Sequence, residues 1–294
     1  MSPGRLRVQA AAGEGKQVLS LVEPQTQRKV LLVGTMHYNP ASIAKSENVI
    51  KELASENKLS TVVIEMCDKR FKGMETNQPR GSNKRKLLNN EMQAAADVAR
   101  DKNINVVLGD AKIANILDGA KAMALKTLRD LVTIDGWKSI GADLKTILDS
   151  KSNTGQNPQL GPQDFLDPWL LLGTPISLIR YPLAFYLKNP LKFTAFFAAL
   201  QLLAVSTEVG AAQSVEAASS ILTIMTIFNF VFFIISARVL AIVFLLERDV
   251  TLADSIREAC KTAGSDQTVV AILGMAHCNG VARLLSNTEK ELGQ

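Results

Sequence analysis

In its first part, the chain alternates short apolar runs with longer amphipathic stretches. The run "LSLVEPQTQRKVLLVGTMH" predicts two strands joined by a Pro-Gln-Thr-Gln turn. The next stretch has an apolar stripe at helical spacing, and Asn39 or Pro40 is suited to begin that helix. Two further β-type runs, "LSTVVIEM" and "INVVLGD", flank the helical pattern of "LLNNEMQAAADVARDKN". This order of strands and helices predicts an α/β domain with a parallel sheet and flanking helices.

The pattern changes after a polar break, "SKSNTGQNPQLGPQD", which is typical of a loop or linker. There are 15 residues without a charge between Lys192 and Glu208, and 21 between Glu216 and Arg238. A bilayer core requires about 20 apolar residues in a helix, so the second run is long enough and the first is short unless it is tilted. We therefore expect an apolar helical hairpin in a membrane. The alternative is a pair of buried helices in a soluble fold.

After the apolar section, the chain returns to the α/β pattern. The run "ERDVTLADSIREACKTAG" predicts an amphipathic helix, and "TVVAILGMAHCNGVARLL" predicts a buried strand, a turn and a helix. We expect the first and last strands to share one sheet, interrupted in sequence by the hairpin. The predicted organisation is a flexible N-terminus (1–16), a first α/β part (17–149), a linker (150–180), the hairpin (181–246) and a second α/β part (247–294).

Composition and charge limit the classes of function that we expect for this protein. The net charge is +5, and many basic residues lie between Asp68 and Lys86, which we interpret as a solvated loop. Only 5% of residues are aromatic and no recognition motif accompanies the charge, so nucleic-acid binding is not expected. Three cysteines do not make a disulfide framework, which favours an intracellular, reducing compartment. The basic, acid-poor start resembles part of a transit peptide and favours a chloroplast or mitochondrial membrane; a frayed terminus is the alternative.

The two histidines of the chain occur in matched contexts. His37 and His277 each end a Gly-x-x-His pattern after an apolar run, and Gly34 and Gly274 permit a tight turn or a close backbone approach. Two more polar groups, Glu65 and Asp110, also stand at the ends of β-type runs. Because ligands of parallel sheets bind at the carboxyl ends of the strands, these four side chains are expected at one edge of the sheet.

Two imidazoles and a carboxylate form a common first shell for a catalytic divalent metal ion. We therefore expect His37, His277 and Glu65 to be metal ligands, with Glu91, or Glu65 if it does not bind the metal, as a general base. The alternative is that both histidines are structural and bonded to backbone groups. Arg70 and Arg248 are suited to orient Glu65 or to bind an acidic end of a substrate, although ordinary surface ion pairs are the simpler interpretation.

Six segments, in order, resemble the TraB/PrgY (pheromone shutdown) family, which is related to the GumN and Tiki proteins. They are "LLVGTMHYNPASIAKSENVIKEL", "VVIEMCDKRF", "NEMQAAADVAR", "VVLGDAKI", "ERDVTLADSI" and "VVAILGMAHCNGV". The resemblance implies an α/β fold of the erythromycin-esterase/ChaN-like type and a pocket made by both ends of the match. Carried over residue by residue, it implies site roles for His37, Glu65, Arg70, Glu91, Asp110, Glu247, Arg248 and His277. The segment "GDAKI" lacks an arginine that many relatives carry after the aspartate.

Tiki relatives are described as metal-dependent proteases, and pheromone-shutdown members are thought to inactivate peptides. The leading hypothesis is therefore a membrane-anchored hydrolase that uses Mn, Co or Zn and acts on a peptide or a small molecule, with residues 181–246 in the lipid bilayer. The alternative is a non-catalytic protein that binds, tethers or regulates at an organelle membrane. A channel is disfavoured because only Gln201, Asn229 and a few hydroxyl groups are polar within the apolar segments.

Overall fold

A computed structural model describes residues 17–151, 158–195, 197–198 and 215–287 of the chain. The predictions for residues 1–16 and for most of the first apolar run, with Gln201, lie outside these residues. The described chain divides into two compact units. The first takes the described residues within Met1–Ile113, Lys151–Tyr181 and Leu245–Gln294, and the second takes those within Ala114–Ser150 and Pro182–Phe244.

The first unit contains a five-stranded sheet of order β1-β2-β5-β3-β4. The strands are β1 (Val18–Glu23), β2 (Arg28–Thr35), β3 (Leu59–Ile64), β4 (Asn105–Leu108) and β5 (Thr268–Gly274). All neighbouring pairs are parallel except β1 and β2, which are antiparallel. The predicted α/β class with flanking helices is confirmed, and the sheet is mixed because the predicted first hairpin places an antiparallel strand at its edge.

The turn of this hairpin is held by one carboxylate. Glu23 Oε2 accepts hydrogen bonds from the backbone N–H of Thr26 at 2.7 Å and from its hydroxyl at 2.6 Å, while Oε1 accepts from the Gln25 N–H at 3.1 Å. Burial raises the pKa of Glu23, but these hydrogen bonds outweigh it and lower the pKa below its ordinary value. The short loop therefore depends on an ionised side chain.

The two strands that precede the histidines are neighbours in this sheet. In the β2–β5 register, Thr35 lies opposite Gly274, and Gly34 lies opposite Leu273. The prediction that the two Gly-x-x-His segments share one sheet is confirmed. Strand β5 is central because it also pairs with β3, and all seven of its residues are buried. This explains why its sequence is continuously apolar rather than alternating.

Helices cover both faces of the sheet. The helices of the first unit are α1 (Pro40–Ser55), α2 (Asp68–Asn77), α3 (Asn83–Leu87), α4 (Glu91–Asp101), α7 (Pro162–Phe165), part of α8 (Pro168–Lys188), α10 (Glu247–Thr262) and α11 (Met275–Ser286). Helix α1 begins as predicted, because the Asn39 side chain accepts the Ala41 N–H and Pro40 occupies the first helical position. One core layer packs α1 and α4 on the sheet, and another packs α10 and α11 on its other face.

Two segments differ from the sequence prediction. The basic segment between Asp68 and Lys86 is not a loop, because α2 and α3 occupy most of it. Helix α8 covers part of the segment predicted as a linker, although Pro175 and Pro182 lie inside it. Proline lacks the backbone N–H that the interior of a helix requires, so these two residues locally disfavour the helix. Tertiary contacts must therefore stabilise it.

The second unit is helical in its described part. It contains most of α5 (Ile113–Asp130), α6 (Ile134–Lys151) and α9 (Val215–Arg238), and α9 continues into a π-helical segment, Val239–Leu246. Arg238 is buried in this unit, where its Nη1 donates to Asp130 at 2.8 Å and its Nε donates to Asp143 at 3.0 Å.

Two described helices, Pro168–Lys188 and Thr223–Thr262, are long and apolar enough to cross a membrane.

Candidate active site

Four predicted residues lie at the carboxyl ends of the parallel strands of the first unit. His37, Glu65 and Asp110 follow β2, β3 and β4, while His277 lies in the first turn of α11, directly after β5. Helix α11 begins at Met275 without the predicted intervening turn. This placement is the general one for ligand sites of open parallel sheets.

Gly274 is the point around which three of these side chains converge. A Cβ atom at Gly274 would lie 3.2 Å from Glu65 Oε2, 3.7 Å from His37 Nε2 and 3.7 Å from His277 Cδ2. The backbone φ of Gly274 is −58°, so no left-handed conformation requires glycine here. Its role is the close approach of the backbone to the two imidazoles and the carboxylate.

His37 is oriented by Glu91. The ring Nδ1 lies 2.5 Å from Glu91 Oε1, and Glu91 Oε2 accepts the backbone N–H of Tyr38 at 3.1 Å. Tyr38 has a φ of 61°, a left-handed conformation that is uncommon for a bulky residue and clusters at functional sites. Burial of His37 lowers its pKa, but the hydrogen bond and charge of Glu91 outweigh this effect and raise the pKa above its ordinary value. Both Glu91 oxygens are engaged and the side chain is buried, which suits positioning better than the predicted role of general base.

His277 is oriented in the same way by Asp249. Its Nδ1 lies 2.6 Å from Asp249 Oδ1, and its Nε2 lies 3.5 Å from Glu65 Oε1. Asp249 is buried in the first turn of α10. Asp249 was not among the predicted site residues. The only sequence feature that points to it is its position directly after Arg248 in "ERD", and the sequence does not show that α10 packs beside α11.

Arg248 joins two strand ends by binding two carboxylates. Its Nε donates to Asp110 Oδ1 and its Nη2 to Asp110 Oδ2, both at 2.9 Å, and Nη2 also donates to Glu65 Oε1. Arg70 Nη1 donates to Asp110 Oδ2 at 2.6 Å. The half-buried guanidinium of Arg248 therefore bridges two buried carboxylates and is not the surface ion pair of the simpler interpretation.

Glu65 is held in its ionised form. Burial raises its pKa, but the charges of His277, Arg248 and His37, together with the hydrogen bond from Gly274, outweigh burial and lower the pKa. The Gly274 N–H donates to Glu65 Oε2 at 2.6 Å. An anionic carboxylate is what either a metal ligand or a proton acceptor requires.

The donor set fits a divalent cation in chemistry and charge. In metal sites, a ligating histidine usually donates its other ring nitrogen to a carboxylate, which is the arrangement of both imidazoles here. The cluster contains four carboxylates (Glu65, Glu91, Asp110 and Asp249) and two guanidinium groups (Arg70 and Arg248). With neutral imidazoles it therefore carries an excess of negative charge. Within the described residues, no group of three or more His, Cys, Asp or Glu side chains has the ready-made spacing of a metal site.

Other residues near the site have different roles. Glu247, implied by the family resemblance, is exposed at the start of α10. Cys278 is buried with its Sγ 3.7 Å from the Gly274 carbonyl oxygen, and burial raises the pKa of its thiol, so it is an inert core residue.

The Tyr181 ring of α8 stacks on His37 at a centroid distance of 6.3 Å and meets Tyr38 edge-on at 5.9 Å. Tyr181 was not predicted, because it lies where the sequence suggested a linker running into the hairpin.

No protein-family model matches the chain, and no curated protein matches its sequence. The resemblance to the TraB/PrgY family, and the erythromycin-esterase/ChaN-like fold that it implies, therefore stay predictions based on the six segments.

Proposed function

We propose that this chain is a membrane-anchored, metal-dependent hydrolase of the TraB type, with a paired Gly-x-x-His site. One observation carries the proposal: His37, His277 and Glu65 converge on Gly274, and both imidazoles are fixed at Nδ1 by carboxylates. The motif resemblance supports the same conclusion. Two helices of sufficient length and apolarity support the anchor.

His37, His277 and Glu65 would hold the metal ion, with Mn, Co and Zn as the candidates. A divalent ion would supply Lewis acidity to the carbonyl group of a substrate. Glu91 and Asp249 fix the tautomer and direction of the imidazoles. Arg248 keeps Glu65 ionised and in place, and Arg70, whose side chain is 31% exposed, is available for an acidic group of a substrate.

The metal content of the detergent-purified full chain tests this proposal. We expect near-stoichiometric metal in the native protein and its loss in His37→Ala and His277→Ala variants that remain folded. Gly274→Ala is the sharpest variant, because its methyl group fills the space between the three donor groups. Gly73→Ala is the matched control, since nothing lies within 4 Å of the added Cβ.

The native protein would contradict the proposal if it held no metal after reconstitution with Mn²⁺, Co²⁺ and Zn²⁺. Metal retained in both histidine variants would also contradict it. If the native protein holds metal that both histidine variants lose, peptides and esters are then screened as substrates. Fractionation of cells would test the proposed organelle membrane.

A second candidate is a non-catalytic membrane protein that binds, tethers or regulates. It is favoured by the mutual satisfaction of the cluster, in which Glu91, Asp249 and Asp110 are all bonded to His or Arg partners. Such a cluster is able to hold the sheet edge together by itself. Removal of residues 192–246 separates the two candidates: a tether loses its function at the membrane, whereas an enzyme keeps activity toward a soluble substrate.

A further inference from the structure

Helix α8 exposes large apolar side chains, which a surface helix of a soluble protein would bury. The residues that it buries are Leu170, Gly173 and Ser177, at spacings of three and four. Gly173 approaches so closely that a Cβ would lie 2.5 Å from Asn39 Oδ1. The residues exposed on the same part of the helix are large and apolar: Trp169, Leu171, Leu172, Ile176, Leu178 and Ile179. A surface helix in water shows the opposite distribution.

This distribution favours a bilayer as the surroundings of α8. At 100° per residue, the six exposed side chains span about half of the helix circumference, which is wider than the single stripe that a partner helix covers. Two of the three buried residues, Gly173 and Ser177, are small, and small residues at the protein contact with large apolar residues outside are typical of helices in lipid. Arg180 and Lys188 lie in the second half of the helix, on the side of Tyr181, where their long side chains are able to reach the interface.

The same helix borders the candidate site. Asn39 Nδ2 donates to the Leu170 carbonyl oxygen at 2.9 Å, and the Thr174 hydroxyl lies 3.6 Å from Met36 Sδ. The segment around His37 therefore rests on α8. His37 is the accessible imidazole, with 41% of its side chain exposed against 6% for His277. A ligand consequently approaches from the side of His37, where Tyr181 of α8 stacks on the ring.

We infer that the site opens toward the bilayer and that its substrate is an amphiphile. The hydrolysable ester or amide lies at the interface near His37, and the hydrocarbon tail runs along the exposed face of α8 past Tyr181. Hydrolysis adds one water molecule across the C–O or C–N bond and releases an acid with an alcohol or an amine. The chemistry rests on the proposed hydrolase function, whereas the position of α8 in lipid does not.

Tryptophan fluorescence tests the position of α8 independently of activity. The chain has two tryptophans, Trp137 and Trp169, so Trp137→Phe leaves a reporter on α8. In liposomes of phosphatidylcholine brominated on the acyl chains, we expect loss of Trp169 emission and little quenching by aqueous acrylamide. A second reporter, Tyr181→Trp without the native tryptophans, should be quenched most by bromines near the headgroup.

A reporter at Val22 is the control. Val22 is exposed on β1 near the hairpin turn, at the end of the sheet opposite to the site, so Val22→Trp in the same background should respond to acrylamide and not to bromine. The inference is overturned if Trp169 and the Tyr181→Trp reporter respond to acrylamide alone. It is also overturned if neither quencher reaches these two reporters, because a second protein chain then covers α8.

Matched substrates test the class of ligand. We compare the full chain in nanodiscs on p-nitrophenyl acetate, p-nitrophenyl laurate and a soluble peptide. We expect the laurate ester to be hydrolysed at least about tenfold faster than the acetate, from burial of the added methylenes. Tyr181→Ala should reduce that ratio.

The outcomes separate the two proposals. Hydrolysis of the peptide or of the acetate without a preference for the laurate overturns the amphiphile and retains the hydrolase. Hydrolysis of none of them by metal-loaded protein counts against the hydrolase, and the fluorescence result then decides alone whether the site borders lipid.

Discussion

Asp249 lies 2.6 Å from His277, with its Oδ1 against the ring Nδ1, so a helix that follows the apolar section orients a side chain at the end of a central strand. The same relationship joins Glu91 to His37. Each imidazole therefore has one nitrogen committed to a carboxylate and the other available to a ligand. This duplication is the basis of the first two predictions.

Asp249→Asn should weaken metal binding while the fold is retained. Loss of such a partner typically costs about 10–100-fold in metal affinity, because the imidazole loses its preferred tautomer and direction. Calorimetric titration of the detergent-solubilised protein with Zn²⁺ or Mn²⁺ measures the effect, with thermal unfolding in parallel. Asp254→Asn on the same helix is the control, since Asp254 is exposed and pairs only with neighbouring Arg257 among the described contacts. Equal affinities in the two variants would refute the positioning role.

Gly280→Ala should reproduce the Asp249→Asn effect without removing the carboxylate. A Cβ at Gly280 would lie 1.9 Å from Asp249 Oδ2, so the aspartate must move away from His277. In the double variant the two losses of affinity should not add, because both act through one contact. Gly73→Ala, also in a helix but with open space around its Cβ, should leave affinity unchanged. Additive losses would mean that Gly280 acts elsewhere.

Arg248→Met should strongly destabilise the first unit. The substitution leaves Glu65 and Asp110 buried without their shared guanidinium, and removal of one partner of a buried ion pair costs about 3–5 kcal/mol. Denaturant unfolding in detergent measures the change in the free energy of unfolding. Arg80→Met breaks an exposed pair with Asp101 and should shift the midpoint little. A similar midpoint for both variants would show that the bridge contributes no more than a surface pair.

Glu23→Gln should lower stability at pH 7 and lose this effect in acid. The folded-state pKa of Glu23 lies below its ordinary value of 4.5. Its contribution is therefore complete above about pH 4.5 and is lost as the pH falls through the folded-state pKa. We expect a difference of about 1 kcal/mol at pH 7, the usual value of a lost hydrogen-bond network of this size. Thermal unfolding from pH 7 to pH 3 measures it, with Glu56→Gln, an exposed residue, as the control. A difference that does not shrink as the pH falls below 4.5 would exclude the ionised carboxylate as the cause.

The strands and the site edge were predictable because their signals are local. Continuous apolar runs marked β3, β4 and β5, and Asn39 with Pro40 marked the start of α1. The convergence of His37 with His277 followed from the rule that parallel strands end at one edge. The roles of Glu91 and Asp249 depend on how helices pack beside the histidines, and no local pattern carries that information. Likewise, α8 contains Pro175 and Pro182, which locally disfavour the helix that the tertiary contacts support.

The adjacency of β2 and β5 has a consequence for the order of events during synthesis. The Thr35 hydroxyl donates to the Leu273 carbonyl oxygen at 2.9 Å across a separation of 238 positions. Pairing over such a distance is slow and must wait until the later strand has been made. During translation, β2 and β3 therefore lack the strand that belongs between them, and the apolar helices emerge before it does. The two imidazoles meet only after β5 and His277 have been made, so a nascent chain has no completed site before its last strand emerges.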